Sequence, residues 1–245
     1  MVLSTEDKAA YYERQACFTK GIRLHIYRMI NLAQCGRVID VGSGAGSIAK
    51  EIAERVNGRV VAFEKDYDLL KCARALDRVI GLCGDALKLP FEAACFDAAT
   101  CHFLLMWLKD PGAALMEMKR VVKLRGWIVA LAEPDYGGWI GYPEDLGIGK
   151  MLSNSLIKEG ADPEAGRKLR AIFKKAGLDA EVGLSAGMWN IESLRSEFEE
   201  EWNWRFKIVG RSPALEKVKE KEAKAIEKGE RLLFMPIFYA YAQKK

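Results

Sequence analysis

Only two histidines, His25 and His102, occur in 245 residues, and none of the six cysteines stands at Cys-x-x-Cys spacing from another. Zinc sites are built from such pairs, so no metal is expected. Uninterrupted apolar runs of membrane-spanning length are missing as well, and residues 1–14 carry acids and polar groups where a signal peptide needs an apolar stretch. A cytoplasmic protein without a membrane partner is therefore expected, its cysteines reduced. Cys83 and Cys101 fall in apolar runs and read as small buried hydrophobes. No Ser/Gly/Pro-rich linker divides the chain, and at 50% hydrophobic it can bury one large core, so residues 1–245 read as a single domain. Charge of one sign is scarce too. The net +4 is spread through mixed Lys/Glu runs such as residues 216–224, which suit a solvated helix face better than a nucleic-acid groove.

What is present begins at residues 38–46, Val-Ile-Asp-Val-Gly-Ser-Gly-Ala-Gly. The apolar start fits a buried parallel strand, and Gly42, Gly44 and Gly46 let the backbone turn sharply and approach a ligand where a Cβ would collide. The dinucleotide fingerprint requires Gly-x-Gly-x-x-Gly, but here the third glycine comes one residue early and Ser47 follows it. Asp40, two residues before the first glycine, would repel a pyrophosphate and suits an ammonium or sulfonium. A second strand from Val60 ends in Glu64, 24 residues after Asp40, close to the spacing of about 20 at which a carboxylate meets ribose hydroxyls. A third, residues 79–83, runs into Gly84, Asp85 and Ala86. Each acid alone reads as a turn or strand-end residue. Their recurrence after three successive strands points to one ligand. Further strands are expected at 96–103, 126–133, 178–184 and 234–241, with a helix from Asp110-Pro111 to about Val122, the alternation of an open parallel sheet.

Acidic-x-Gly-x-Gly-x-Gly followed by acids at the next two strand ends resembles the class I S-adenosylmethionine-dependent methyltransferases of small-molecule type, strongly over residues 35–135 and weakly in the later helix and last strands. The resemblance implies an α/β fold: a Rossmann-like, doubly wound sheet of seven mostly parallel strands with the last antiparallel, preceded by helices and carrying helical substrate-side insertions. It implies S-adenosylmethionine as cofactor and S-adenosylhomocysteine as product. The first loop would contribute Asp40, Gly42, Ser43, Gly44 and Gly46; the following strand ends Glu64 and Lys65, then Gly84, Asp85 and Ala86, then Cys101 and His102. The Asn/Asp-Pro-Pro-Tyr/Phe motif of amino-adenine methyltransferases is missing after the fourth strand, where an apolar segment around Trp107 stands instead. A small-molecule acceptor follows, with transfer to protein or RNA, or cofactor binding without transfer, as the alternatives; the oligomeric state is open.

Residues 5–34 read as a helical cap and residues 35–135 as the cofactor-binding core. Residues 136–162 and 190–228 read as substrate-side insertions. Ligands of open parallel sheets lie beyond the carboxyl ends of the strands, which makes Tyr136, Trp139 and Tyr142 substrate-side candidates together with Trp107. Trp189, Trp202, Trp204 and Phe206, beside acids 197–201, read as core at helical spacing or as a cage for an apolar or cationic acceptor. Methyl transfer from a sulfonium is an in-line displacement in which a base is optional. His102, Glu133 and Asp135 are the candidate bases and Tyr136 a candidate positioning group.

Overall fold

Helices on both faces of a sheet explain why its strands are continuous apolar runs rather than alternating ones. The computed structural model describes residues 4–74, 77–185 and 189–245. Two helices come first, α1 (Thr5–Phe18) and α2 (Lys20–Met29). The first half of the sheet then alternates strand and helix: β1 (Arg37–Val41), α3 (Ser47–Ala53), β2 (Arg59–Glu64), α4 (Tyr67–Arg74), β3 (Val79–Cys83), β4 (Phe96–Cys101), α5 (Pro111–Val121) and β5 (Val122–Pro134). Next come β6 (Ile140–Tyr142), α6 (Ile148–Lys158), α7 (Ala165–Lys175) and β7 (Glu181–Ser185). Three helices, α8 (Ile191–Ser196), α9 (Phe198–Val209) and α10 (Pro213–Glu227), precede β8 (Leu232–Phe234) and β9 (Ile237–Gln243).

Seven strands form one sheet in the order β3-β2-β1-β4-β5-β9-β7. β1 pairs in parallel with β2 and with β4, and β9 runs antiparallel to both β5 and β7. The order reverses between β1 and β4, so the segments leaving these two strands diverge and open a crevice, the usual ligand position in such sheets. Successive residues of β1 serve opposite faces. Ile39 and Val41 join Phe63, Ile128 and Phe173 in one core, and Val38 joins Ile26, Ile52, Val60 and Val129 in the other.

Several expected boundaries move. The fourth strand ends at Cys101, so residues 102 and 103 belong to the turn beyond it. The fifth begins at Val122, directly after α5, and is bulged against β4 between Phe96 and Ala98. The run expected at 234–241 is two strands, because Pro236 has no N–H to continue a ladder. β8 pairs with β6 in a two-stranded ribbon that the sequence reading lacked, and β9 joins the main sheet. Cys83 is exposed on edge strand β3, contrary to its expected burial, whereas Cys101 is buried. Among the described residues, no helix is long and apolar enough to cross a membrane.

Two helical glycines have opposite surroundings. A Cβ on Gly166 in α7 would lie 2.7 Å from the Glu133 carbonyl oxygen and 2.9 Å from that of Pro134, atoms fixed in β5. Around Gly21 in α2 nothing lies within 4 Å. Gly21→Ala is expected to stabilise by up to about 1 kcal/mol through helix propensity. Gly166→Ala is expected to destabilise by about 1–3 kcal/mol despite the same propensity gain, because α7 must move off β5. Chemical denaturation of both variants checks the pair, and a Gly166→Ala protein as stable as the parent contradicts the packing.

Candidate active site

The chain leaves β1 through three glycines that all have positive φ: 71° at Gly42, 54° at Gly44 and 90° at Gly46. Side chains are also excluded by contact. A Cβ on Gly42 would sit 2.7 Å from Leu104 Cδ1, and one on Gly44 2.8 Å from Tyr12 Cδ2. The turn is tied to β2, since the Gly42 and Ser43 amides donate to the Phe63 carbonyl at 2.8 and 3.2 Å. Glu64 completes the tie. One carboxylate oxygen accepts from the Gly44 amide at 2.8 Å, and the other from the amides of Lys65 and Asp66 at 2.8 and 2.9 Å. After β3, the Gly84 amide donates to the Glu64 carbonyl at 3.0 Å, and the Asp85 carboxylate accepts from Leu87 at 3.0 Å.

Asp40 is 1% exposed. Its Oδ1 accepts from the Thr100 hydroxyl at 2.9 Å across the β1–β4 pair, but Oδ2 has no partner, and neither does Ser43 Oγ in the adjoining loop. Burial pushes the carboxyl up to about 7, with the Thr100 hydrogen bond pulling the other way. A buried carboxylate with an empty oxygen beside a glycine cradle fits a ligand that brings a cationic group.

The glycine loop and the strand ends open into a cavity of about 900 Å³. Gly42, Ser43, Gly44, Glu64, Lys65 and the segment Gly84 to Ala86 line one part; Tyr11, Tyr136, Trp139, Trp189 and Trp204 line another; His102 and Trp107 also border it. Gly46 lies outside this lining and caps α3 instead. Cys101 is buried outside it, its thiol pushed well up by burial. Tyr142 lies in the β6–β8 ribbon, 54% exposed and away from the cavity, so the structure does not bring it to Tyr136 and Trp139. α1 and α9 cover the space: Tyr11 and Trp204 stack with ring centroids 3.7 Å apart, Arg14 pairs with Glu201, and Lys207 meets Asp7 at 2.6 Å. Trp202 is fully buried with its indole N–H on Glu222 at 2.8 Å, and Phe206 packs beside it in a core cluster.

The candidate bases separate. His102 Nε2 lies 2.8 Å from Thr19 Oγ1, and burial, reinforced by the Arg23 charge, holds the imidazole down to about 3, so it is neutral. Glu133 lies outside the cavity, fully buried. It accepts from the amides of Leu104, Leu105 and Met106 at 2.9, 2.7 and 3.3 Å, and burial raises its carboxyl to about 7. It is a backbone clamp. Asp135 points away from the cavity to Arg167 Nε at 2.8 Å. Tyr136 does line the cavity, its hydroxyl pushed up to about 12 by burial. Glu197, Glu201 and Arg14 were absent from the sequence-based candidates, yet all three line the covered part. The acidic run ahead of Trp202 and Trp204 was the only signal for the two acids.

Comparison with known proteins agrees with this geometry. Residues 39–130 match the methyltransferase domain family, and by sequence and fold this segment is a class I methyltransferase domain, of a kind that uses S-adenosylmethionine. The chain is 33% identical over 142 residues to the demethylmenaquinone methyltransferase of Roseiflexus castenholzii, which covers 54% of the chain and 57% of that relative. It is 28% identical over 200 residues to the ubiquinone/menaquinone biosynthesis C-methyltransferase UbiE of Ralstonia pickettii, covering 70% of the chain and 81% of the relative. The chain thus spans little more than half the length of the first of these relatives. In fold it is similar to a solved S-adenosylmethionine-dependent methyltransferase of Thermotoga maritima, with a TM-score of 0.58 at 17% identity over 96% of this chain and 95% of that one.

Glu64→Ala removes charge-assisted hydrogen bonds of about 1.5–3 kcal/mol from any ribose held there and is expected to weaken S-adenosylmethionine binding by about one to two decades. Calorimetric titration reads this directly, and an unchanged dissociation constant removes Glu64 from the site.

Proposed function

We propose that this chain binds S-adenosylmethionine through the glycine loop, Asp40, Glu64 and Asp85, and transfers its methyl group to an apolar small molecule held in the aromatic part of the same cavity. The observation that carries the reading is that three acids from successive strand ends converge with the glycine loop on one cavity, whose opposite side carries Tyr11, Tyr136, Trp139, Trp189 and Trp204. Residues 5–34 act as the cap, 35–135 as the cofactor half, and 136–162 with 190–228 as the acceptor enclosure. The unpartnered Asp40 Oδ2 supports a cationic cofactor. The names of the quinone-methylating relatives support an apolar acceptor with a ring.

When bound, the cofactor supplies a sulfonium-activated methyl carbon. The protein's part is alignment and exclusion of water. Glu64 orients the ribose, and the glycine loop brings backbone amides close without side-chain obstruction. Tyr11, Trp204 and the remaining aromatic wall keep the reacting groups dry and opposed, which is where most of the acceleration of an in-line displacement arises. Transfer of a labelled methyl group from S-adenosylmethionine tests the reading, with demethylmenaquinol, a small-molecule extract of the source cells, and their protein and RNA fractions as acceptors. Label in a small molecule is expected. Label confined to protein or RNA overturns the acceptor class, and cofactor binding without any transfer overturns the activity.

Asp40 also makes cofactor affinity pH-dependent. Its carboxyl is raised to about 7 in the free protein, and a cationic ligand favours the ionised form, lowering that value in the complex. Binding therefore expels a proton below about pH 7. Affinity is full above it and falls by up to about tenfold per pH unit as the pH drops. The expected signature is a slope between pH 5.5 and 7 that Asp40→Asn abolishes. Parallel profiles for the two proteins contradict the assignment.

A further inference from the structure

The second ring nitrogen of His102, Nδ1, has no hydrogen-bond partner among the described residues. Val41 pairs with Cys101 across β1 and β4, so His102 emerges beside Gly42, at the point where the sheet order reverses. Its Nε2 meets Thr19 Oγ1, which is 1% exposed and saturated by its neighbours. Arg23 Nη1 can only donate to that oxygen. Arg23 is itself fixed, with Nε and Nη2 on the two oxygens of Glu51 at 3.0 and 2.7 Å and Nη1 also on the Ala16 carbonyl at 2.6 Å. The Thr19 hydroxyl has one proton, and the Gln15 carbonyl stands ready to accept it at 3.0 Å. If that bond forms, the remaining lone pair of Oγ1 must receive a proton from His102, giving three hydrogen bonds. In the opposite tautomer the hydroxyl donates to Nε2 instead, and a buried lone pair and the Gln15 contact are both lost.

We infer that Glu51, Arg23 and Thr19 are positioning residues that hold His102 as the Nε2–H tautomer, so that Nδ1 stands in the cavity wall as an acceptor for the X–H group of the molecule being methylated. This deepens the methyltransferase reading and rests on it. The substrate class it selects is a nucleophile whose methylated form is a strong acid, a hydroxyl or the ring carbon of a hydroquinone, rather than an amine or thioether. As X bonds the methyl carbon, the carbon–sulfur bond breaks with its electron pair passing to sulfur. The proton on X becomes strongly acidic, moves to Nδ1 and leaves from there to water, so charge and atoms balance. A neutral ring suits the task. The Arg23 guanidinium lies beyond Thr19 and disfavours a second positive charge, Phe103 packs against the imidazole at 4.4 Å between ring centroids, and burial keeps the ring unprotonated at rest.

Two histidines make the test direct. In protein labelled with nitrogen-15 histidine, His102 is expected to show a protonated Nε2 and a bare Nδ1 from pH 8 to 5, with His25 as the internal contrast. Thr19→Val is expected to mix the tautomers, and Thr19→Ser to restore them. A protonated Nδ1 in the parent protein, or an imidazolium forming near pH 6.5, overturns the inference. Transfer rates into the small-molecule extract give the second readout. His102→Gln keeps a donor near Nε2 but offers nothing at Nδ1, and His102→Asn places an amide oxygen near Nδ1. The Gln variant is expected to lose about tenfold in kcat with S-adenosylmethionine affinity within about twofold, and the Asn variant to lose less. Equal rates for both variants and the parent overturn it. Absence of transfer by the parent strikes the methyltransferase reading instead, and the nitrogen spectrum still decides the state of Nδ1.

Discussion

Two carboxylates buried at the carboxyl ends of strands on either side of β4 set the site, and they differ in what satisfies them. Taking a carboxylate out of water is costly unless hydrogen bonds replace the lost hydration. Glu133 has that replacement within the chain, three amides from residues 104–106. In collecting them it fixes the backbone that carries Leu104 over Gly42. Asp40 has half of it, one hydroxyl from Thr100, and keeps an oxygen empty. Both carboxyls rise to about 7 by the same burial. One is therefore satisfied within the chain, and the other keeps an oxygen for which the described residues supply no partner.

That contrast explains what was legible in the sequence. The glycine loop, Glu64 and Asp85 were readable because each depends on a local pattern: an apolar strand, then an acid, then residues that permit a tight turn. The same pattern placed Glu133 and Asp135 among the candidate bases, since they too follow a strand in a parallel sheet. Nothing in the order of residues states which side of the strand end a carboxylate faces. Glu133 turns toward the amides of the next segment, and Asp135 turns toward Arg167, 32 residues later. Strand boundaries failed for a related reason. Pro236 divides a run of apolar residues that looks continuous, and the partner that makes β8 a strand, β6, lies 90 residues earlier.

The cavity's cover was least legible. Its contacts join α1 to α9 across most of the chain: Arg14 to Glu201, Asp7 to Lys207 and Tyr11 to Trp204. In sequence these are an ordinary charged helix and an acidic, tryptophan-rich one, and a core role for Trp202 and Trp204 was as natural as a cavity role. The structure divides them. Trp202 turns to Glu222 inside the helical layer, and Trp204, half a turn further, reaches Tyr11.

Floor and cover consequently rest on different physics. The floor is strand ends and a glycine turn, held by main-chain hydrogen bonds and by helices packed on both faces of a sheet, so it opens only with the fold. The cover is held by side chains: one stacked aromatic pair, a part-buried ion pair, and the more exposed Lys207–Asp7 pair, which salt screens and which contributes little alone. Tyr12 lies on the same helix and in contact distance of Gly44, so any movement of α1 that widens the acceptor side also uncovers the glycine loop. The two halves of the cavity are thus closed by one element.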